Sequence, residues 1–401
     1  MKTQIVVLVN QLLNPTNYKR FNVGFKDKKI DLIFWSLTPL LNKKVFEEYN
    51  SKNYNKIYKK NFIYIKSFKQ IFKNIKKIRK NTIFLNLAGK DLKLLLLEFF
   101  LIFKKCIKIE LSKDFFFLTE KKKYQSKKKD INTLLNFGLF FTFLKGFRFL
   151  YQKFFNKLYN IIEISPKYYF INNEYSSKKF LNHPNKVFKY KSNQVLEAEK
   201  YLKKKSKKNL IVYIDQEFEN SFEAKITNNK HNLMNKDKFF NCLDLIFKDI
   251  ESKNKTQKII IASHFRRSKK NLFDKNRKNF FNKTIELIYN SKLVIAHNST
   301  AINYAILFKK PILLLNFKIL DSISLINSKV TESFADELKS VKLDVDLNYN
   351  YDFNQIKKFD FFDIKLSKYN EYASEYLCFK KNQNVNKSIW ECVASNIDKI
   401  I

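Results

Sequence analysis

Short runs of Ile, Val and Leu recur along this chain of 401 residues, and helical periodicity fills the segments between them. The runs in the second half, at residues 209–215, 258–263, 293–296 and 311–315, have almost wholly apolar interiors. Strands as apolar as these are buried on both faces, as in a parallel sheet covered by helices. The alternation therefore predicts β-α-β units and an α/β fold.

The first half shows the same alternation with shorter signals, and the pattern weakens beyond Asp321. The remaining predicted strands are at residues 4–10, 31–35, 82–87, 107–111 and 168–172, and the predicted helices are at 92–104, 238–252, 284–291, 300–308 and 388–400. A lysine-rich stretch at 197–208 is typical of a solvated connection or a helix end. We expect two Rossmann-like domains, residues 1–195 and 205–365, with C-terminal helices at 366–401 that pack back on the core.

The net charge of +41 invites a nucleic-acid-binding interpretation. The lysines are spread along the whole chain, however, and no recognised binding motif is present. We therefore expect no specific nucleic-acid partner.

Glycine and cysteine are both scarce, with four residues of each type. The glycines, at 24, 89, 138 and 146, cannot form a Gly-x-Gly-x-x-Gly or Walker loop. The cysteines include no Cys-x-x-Cys pair, which argues against both a zinc ribbon and a disulfide framework. The cysteine usage fits a reducing, cytoplasmic interior, and we expect no bound cofactor.

The longest apolar runs, at residues 92–103 and 134–144, fall short of the roughly 18 to 20 residues that cross a bilayer. The second run lies within residues 121–160, where Phe, Leu and Tyr alternate with Lys and Arg. Such a segment is typical either of a peripheral helix on an anionic membrane leaflet or of a core helix with a lysine-coated outer face. Both interpretations stay open.

Polar clusters follow three of the predicted strands. The first is Asp215-Gln216, the second runs from His264 through Arg266 and Arg267, and the third comprises His297, Asn298, Ser299 and Thr300. Ligands bind outside the carboxyl ends of the strands in open parallel sheets. If these strands are neighbours, all three clusters meet at one site.

The third cluster opens a helix. Unpaired N–H groups at a helix start attract phosphate, and the hydroxyls of Ser299 and Thr300 add donors. Simple capping of the helix by Asn298 or Ser299 is the alternative.

The planar guanidinium groups of Arg266 and Arg267 suit phosphate or carboxylate, although an exposed basic loop explains them equally well. His264 has the chemistry to contact a base, a sugar or a phosphate. Asp215 suits a ribose hydroxyl, a proton-accepting role or a capped turn.

With these residues assembled, the chain resembles the surface-carbohydrate glycosyltransferases of bacterial polysaccharide gene clusters. The matching stretches include VYIDQ at 212–216, IIIASHFRRS at 259–268 and KTIELIYNSKLVIAHNSTAINYAILFKKPILLL at 283–315. The chain is more distantly similar to bacterial sialyltransferases, which place a His-Pro motif at the nucleotide and a Ser/Thr pair at the phosphate. His264-Phe265 stands where that motif has His-Pro.

The resemblance implies a GT-B-like pair of Rossmann-like domains facing a cleft. It further implies a metal-independent glycosyltransferase that moves a sugar from a nucleotide-activated donor to an oligosaccharide or lipid-linked acceptor. His264, Ser299 and Thr300 would contact the donor, and Gln216 would lie nearby. A non-catalytic membrane-apposed scaffold and a sugar-nucleotide epimerase remain alternatives.

Overall fold

The computed structural model describes residues 3–10, 30–41, 43, 46–47, 62–88, 92–111, 166–179, 186–206, 209–218, 235–254, 258–264, 273, 277–322, 327–358, 360–379 and 385–401. The chain divides into two units. The first comprises Met1–Lys113, Lys121–Asn193 and Gln383–Ile401, and the second comprises Asp114–Glu120 and Gln194–Asn382. The C-terminal segment thus belongs to the first unit.

The first unit is built on a parallel sheet of seven described strands in the order β3-β2-β1-β4-β5-β6-β7. These strands are β1 Thr3–Val9, β2 Ile30–Ser36, β3 Phe62–Tyr64, β4 Ile83–Asn86, β5 Ile107–Leu111, β6 Tyr168–Ile171 and β7 Val187–Lys189. Strand β1 lies inside the sheet between β2 and β4, and its residues Ile5, Val6, Val7 and Leu8 are fully buried.

The second unit is built on a parallel sheet of six described strands in the order β10-β9-β8-β11-β12-β13. These strands are β8 Leu210–Ile214, β9 Ile260–Ser263, β10 Asn279–Phe281, β11 Ser291–Ala296, β12 Ile312–Phe317 and β13 Val341–Val345. Numbered within the unit, the order is 3-2-1-4-5-6, which is the Rossmann order, and the first unit contains the same order with one further strand. The predicted fold class of two Rossmann-like α/β domains is confirmed.

Helices connect the strands. In chain order they are α1 Thr38–Leu41, α2 Phe68–Lys76, α3 Leu92–Phe103, α4 Glu174–Lys179, α5 Asn193–Leu202, α6 Lys236–Asn254, α7 Thr284–Tyr289, α8 Ile302–Leu307, α9 Asn327–Leu338, α10 Phe353–Lys358, α11 Leu366–Tyr372, α12 Ile389–Ser395 and α13 Ile397–Ile400. A 3₁₀ turn at Lys318–Ser322 follows β12, and a π-helical turn at Ala373–Leu377 follows α11.

Both faces of the second sheet are covered by helices. The predicted apolar stripe of α6, with Phe239, Leu243, Ile246 and Phe247, is confirmed and packs on one face. Residues of α8, α9 and α11 pack on the other face. This two-sided burial explains why the central strands are continuously apolar.

The C-terminal helices pack on the first sheet through Trp390 and Val393. Helix α12 begins at a capping box, in which the side chains of Ser388 and Glu391 each accept a backbone N–H bond from the other residue. Asn396 separates α12 from α13 within the predicted helix at 388–400. Helix α11, also within the predicted 366–401 segment, instead packs in the second unit.

No helix in the described ranges is long and apolar enough to span a bilayer. The basic aromatic segment at residues 121–160 lies outside the described residues.

Candidate functional site

The three polar clusters follow three adjacent strands. Strand β8 pairs with β9 on one side and with β11 on the other, in parallel in both cases. Their carboxyl ends therefore lie at one edge of the second sheet, as the sequence predicts. Strands β8 and β11 are also where the strand order reverses direction, and Rossmann folds bind ligands at this switch point.

Asp215 ties the ends of β8 and β9 together. Its carboxylate is buried and accepts hydrogen bonds from the backbone N–H of Glu217 at 3.2 Å and of His264 at 3.1 Å. Its own N–H donates to the carbonyl of Ala262 at 3.1 Å. Asp215 thus fixes the backbone that follows β8 and the backbone that follows β9. Its bond from Glu217 is the capped turn that was one of the alternatives for this residue.

Glu217 and His264 form a paired carboxylate and imidazole. Oε2 of Glu217 lies 3.2 Å from Nδ1 of His264. The carboxylate is nearly buried, whereas the imidazole keeps 27% of its side-chain surface exposed. Glu217 has a φ of 52°, a left-handed value uncommon outside glycine, and the Asp215 bond holds its backbone there.

Gln216 and Asn298 join β8 to β11 across the switch point. Gln216 Nε2 donates to Asn298 Oδ1 at 3.0 Å, and the backbone N–H of Asn298 donates to Gln216 Oε1 at 3.2 Å. Asn298 Nδ2 donates in turn to Asn327 Oδ1 at the start of α9. Asn327 Nδ2 donates to the carbonyl of Leu320 at 2.8 Å. These linked side-chain amides connect the end of β8 to the turn after β11 and to the start of α9.

His297 points into the core. Its Nδ1 donates to the carbonyl of Leu315 at 2.9 Å, and its Nε2 accepts from the hydroxyl of Tyr213 at 2.9 Å. Rings of Phe218, Phe239 and Phe317 surround it. Complete burial lowers the pKa of His297 to about 4, so the imidazole is neutral at pH 7. Since both ring nitrogens have partners inside the protein, this arrangement supports the strand end and leaves neither nitrogen for a ligand.

Ser299 and Thr300 form the turn before α8. The Oγ of Ser299 accepts from the backbone N–H of Ala301 at 3.3 Å. Ser299 therefore makes one hydrogen bond of the kind that the capping alternative predicts. Among the described residues, no acceptor faces the backbone N–H of Ser299, or the backbone N–H and hydroxyl of Thr300. Thr300 is exposed. Within the part of the chain that the structure describes, these two consecutive N–H groups and this hydroxyl are available at the switch point.

Two predicted residues, Arg266 and Arg267, lie outside the described residues. Within the described ranges, no group of three or more His, Cys, Asp or Glu side chains is arranged to hold a metal ion. Metal independence stays a prediction.

Sequence reasoning missed Glu217 and Asn327 as members of the site. Glu217 is an acid two residues after Asp215, which is a usable signal. Asn327 belongs to the stretch beyond Asp321, where periodicity gives no signal, and it reaches the site only because α9 packs beside β12.

The comparisons with known proteins give weak likenesses. No family model matches the chain, and no curated protein matches it. Among solved structures, the chain is similar to the UDP-GlcNAc 2-epimerase of Methanocaldococcus jannaschii, at 16% identity over 100% of this chain and 99% of that chain, with a TM-score of 0.44.

Two further solved structures give similar values. The wall teichoic acid polymerase TagF is 12% identical over 100% of this chain and 88% of its own, with a TM-score of 0.47. A glycosyltransferase from Rickettsia africae is 11% identical over 100% and 98%, with a TM-score of 0.43. Likenesses of this strength say nothing about activity. The predicted resemblances to surface-carbohydrate transferases and sialyltransferases stay predictions.

Proposed function

We propose that the chain is a metal-independent glycosyltransferase that binds a nucleotide-sugar donor at the switch point of the second unit. The sugar would pass to an oligosaccharide or lipid-linked acceptor of a surface polysaccharide, in the cytoplasm. The observation that carries the proposal is the pair of available N–H groups at Ser299 and Thr300, held beside the Gln216–Asn298 bridge.

The Ser299–Thr300 turn suits the leaving phosphate. Consecutive backbone N–H groups form a concavity that binds anions, and the Thr300 hydroxyl adds a donor. When the bond between sugar and phosphate breaks, negative charge grows on the phosphate oxygens. Donors fixed in advance stabilise that charge without reorganising, which lowers the barrier. Asn298 holds the turn in place through Gln216 and Asn327.

His264 suits the nucleoside part of the donor. It follows β9, the neighbour of β8, and its exposed edge offers hydrogen bonding to a sugar or base. The Glu217 carboxylate contacts Nδ1 of its ring, and the Asp215 carboxylate accepts from its backbone N–H. We assign Asp215 a structural role, since its carboxylate accepts two backbone hydrogen bonds at the ends of β8 and β9. His297 is also assigned a structural role, since both of its ring nitrogens bond groups in the core. Arg266 and Arg267 remain candidates for the phosphates.

Isothermal calorimetry with uridine and cytidine diphosphates tests the phosphate role. Ser299→Ala/Thr300→Ala removes two hydroxyls, and the loss of about 1 kcal/mol per hydrogen bond predicts roughly 5- to 30-fold weaker binding. Thr300→Glu should abolish binding by placing a carboxylate against the phosphate. Ser252→Ala, which removes an exposed hydroxyl on α6, is the matched control. Equal affinity in all four proteins would exclude the phosphate role.

Product analysis with a panel of nucleotide sugars tests the reaction. Transfer to an acceptor with release of the nucleotide supports the proposal. Release of an epimerised nucleotide sugar without transfer would indicate an epimerase. Nucleotide binding without turnover of any donor would indicate the scaffold.

A further inference from the structure

Helix α3 of the first unit is apolar at every position except Lys93 and Glu98, so both its inward and its outward side carry large apolar side chains. Leu94, Leu97 and Leu101 are buried against the sheet. On the outward side, Leu96 is 44% exposed and Phe103 is 82% exposed. A helix that is hydrophobic all round is normally buried on every side. In α3, however, the row of residues that faces away from the sheet, which we call the outward stripe, is exposed to solvent.

The only acid in α3 does not reach the surface. Glu98 is fully buried, where its carboxylate accepts from Lys108 Nζ at 2.8 Å and from Asn86 Nδ2 at 2.7 Å. The outward stripe at positions 96, 100 and 103 therefore carries no negative charge.

Helix α2 extends the apolar surface. Its inner face buries Ile71 and Ile75, while Phe68 and Phe72 are 36% and 43% exposed. The ring of Phe72 meets that of Phe100 edge to face, with centroids 4.7 Å apart. We call the surface formed by Phe68, Phe72, Leu96, Phe100 and Phe103 the α2–α3 patch.

Lysines surround the α2–α3 patch. Residues 66–80 contain seven Lys or Arg residues and no acid. The exposed lysines of α2 and its C-terminal end are Lys69, Lys73, Lys76 and Lys77, and Lys104 and Lys105 follow α3 directly. An exposed aromatic surface rimmed by one sign of charge marks an interaction site.

We infer that the α2–α3 patch binds the surface of an anionic lipid bilayer. Phenylalanine side chains insert at the boundary between headgroups and acyl chains, and lysines beside them attract anionic headgroups. A second copy of the chain fits poorly, since a symmetric contact through this patch would bring two lysine rims together. This inference does not depend on the proposed reaction.

Vesicle flotation with the full chain tests the inference. We expect binding to vesicles of equal parts phosphatidylcholine and phosphatidylglycerol, and little binding to phosphatidylcholine alone. Phe72→Ser/Phe103→Ser should lower the partition coefficient by about tenfold or more. Leu347→Ser, at a leucine that is 63% exposed in the second unit, is the matched control and should bind like the wild type. Circular dichroism checks that each variant stays folded.

The lysine rim is tested separately. Lys69→Gln/Lys73→Gln/Lys76→Gln/Lys77→Gln should weaken binding by at least about tenfold. The same charge change at exposed lysines of the second unit, Lys339→Gln/Lys357→Gln/Lys358→Gln/Lys365→Gln, should weaken it much less.

Insertion depth identifies the contacting surface. The indole introduced by Phe103→Trp should be quenched by lipids brominated on their acyl chains. Absence of quenching while the protein floats would show that another basic segment makes the contact, and the inference would be wrong. It would also be wrong if Phe72→Ser/Phe103→Ser left flotation unchanged, or if the wild type formed a dimer that the same variant dissociated.

Discussion

The hydroxyl of Tyr213 donates a hydrogen bond to Nε2 of His297 at 2.9 Å, inside the core of the second unit. The other ring nitrogen donates to the carbonyl of Leu315. The imidazole is therefore held in its neutral form, and both contacts suit that form. Burial is the main reason that the pKa of His297 is lowered, and the Leu315 bond and the charge of Asp215 oppose the shift only in part.

Stability should fall in mild acid because of His297. Its pKa is about 4 in the folded protein and 6.5 in an unfolded chain, so the unfolded state binds more protons between these values. From about pH 7.5 to about pH 5, the free energy of unfolding should drop by about 2 kcal/mol through this residue. Urea denaturation of wild type and His297→Gln at both pH values measures the difference. Identical pH dependence in the two proteins would contradict the prediction.

Glu217 should position His264. In the wild type Nδ1 of His264 faces the Glu217 carboxylate, which can only accept, so this contact favours the tautomer with the proton on Nδ1. Glu217→Ala removes that acceptor and should mix the two tautomers, which nitrogen chemical shifts of the imidazole report. Losing one hydrogen bond of about 1 kcal/mol should also weaken nucleotide binding by about fivefold.

The control for this variant is Glu332→Ala, which removes a half-exposed acid paired with Lys318 at 3.2 Å. It should leave both the tautomer and nucleotide affinity unchanged. If Glu217→Ala lowers only thermal stability and the His264 signals do not move, Glu217 is merely structural.

The sheet interiors could be predicted from the sequence, and the sheet edges could not. Among the described strands, the four that the sequence patterns miss, β3, β7, β10 and β13, all lie at an edge of a sheet. Edge strands are only partly buried, as the residues of β3 and β10 show. Their apolar runs are therefore short or interrupted, and periodicity cannot separate them from loops.

The positions of the site residues followed from the sequence, but their side-chain directions did not. Strand ends and strand order place Asp215, His264 and His297 at one sheet edge. The inward turn of His297 depends on Phe218, Phe239 and Phe317, which come from separate parts of the chain. Single-sequence patterns carry no information about such distant packing.

Removing the charge of Arg277 should strongly destabilise the second unit. Its side chain is 3% exposed, and its Nε donates to Asp244 Oδ1 at 2.8 Å. Its two terminal nitrogens bond Glu251, and its guanidinium stacks on Phe247 with 5.0 Å to the ring centroid. The network ties α6 to the segment before β10. Arg277→Met would leave two carboxylates without their shared cation, and we expect a loss of about 3 to 5 kcal/mol in the free energy of unfolding.

Two further variants separate this network from ordinary surface charge. Arg277→Lys keeps the charge but lacks the planar fork that bonds both acids, so it should lose less than Arg277→Met while remaining clearly destabilised. Lys368→Met breaks an exposed pair with Glu371 and should lose no more than about 1 kcal/mol. Urea denaturation at neutral pH measures all three. If Arg277→Met were no more destabilising than Lys368→Met, the Arg277 network would contribute nothing beyond an ordinary surface ion pair.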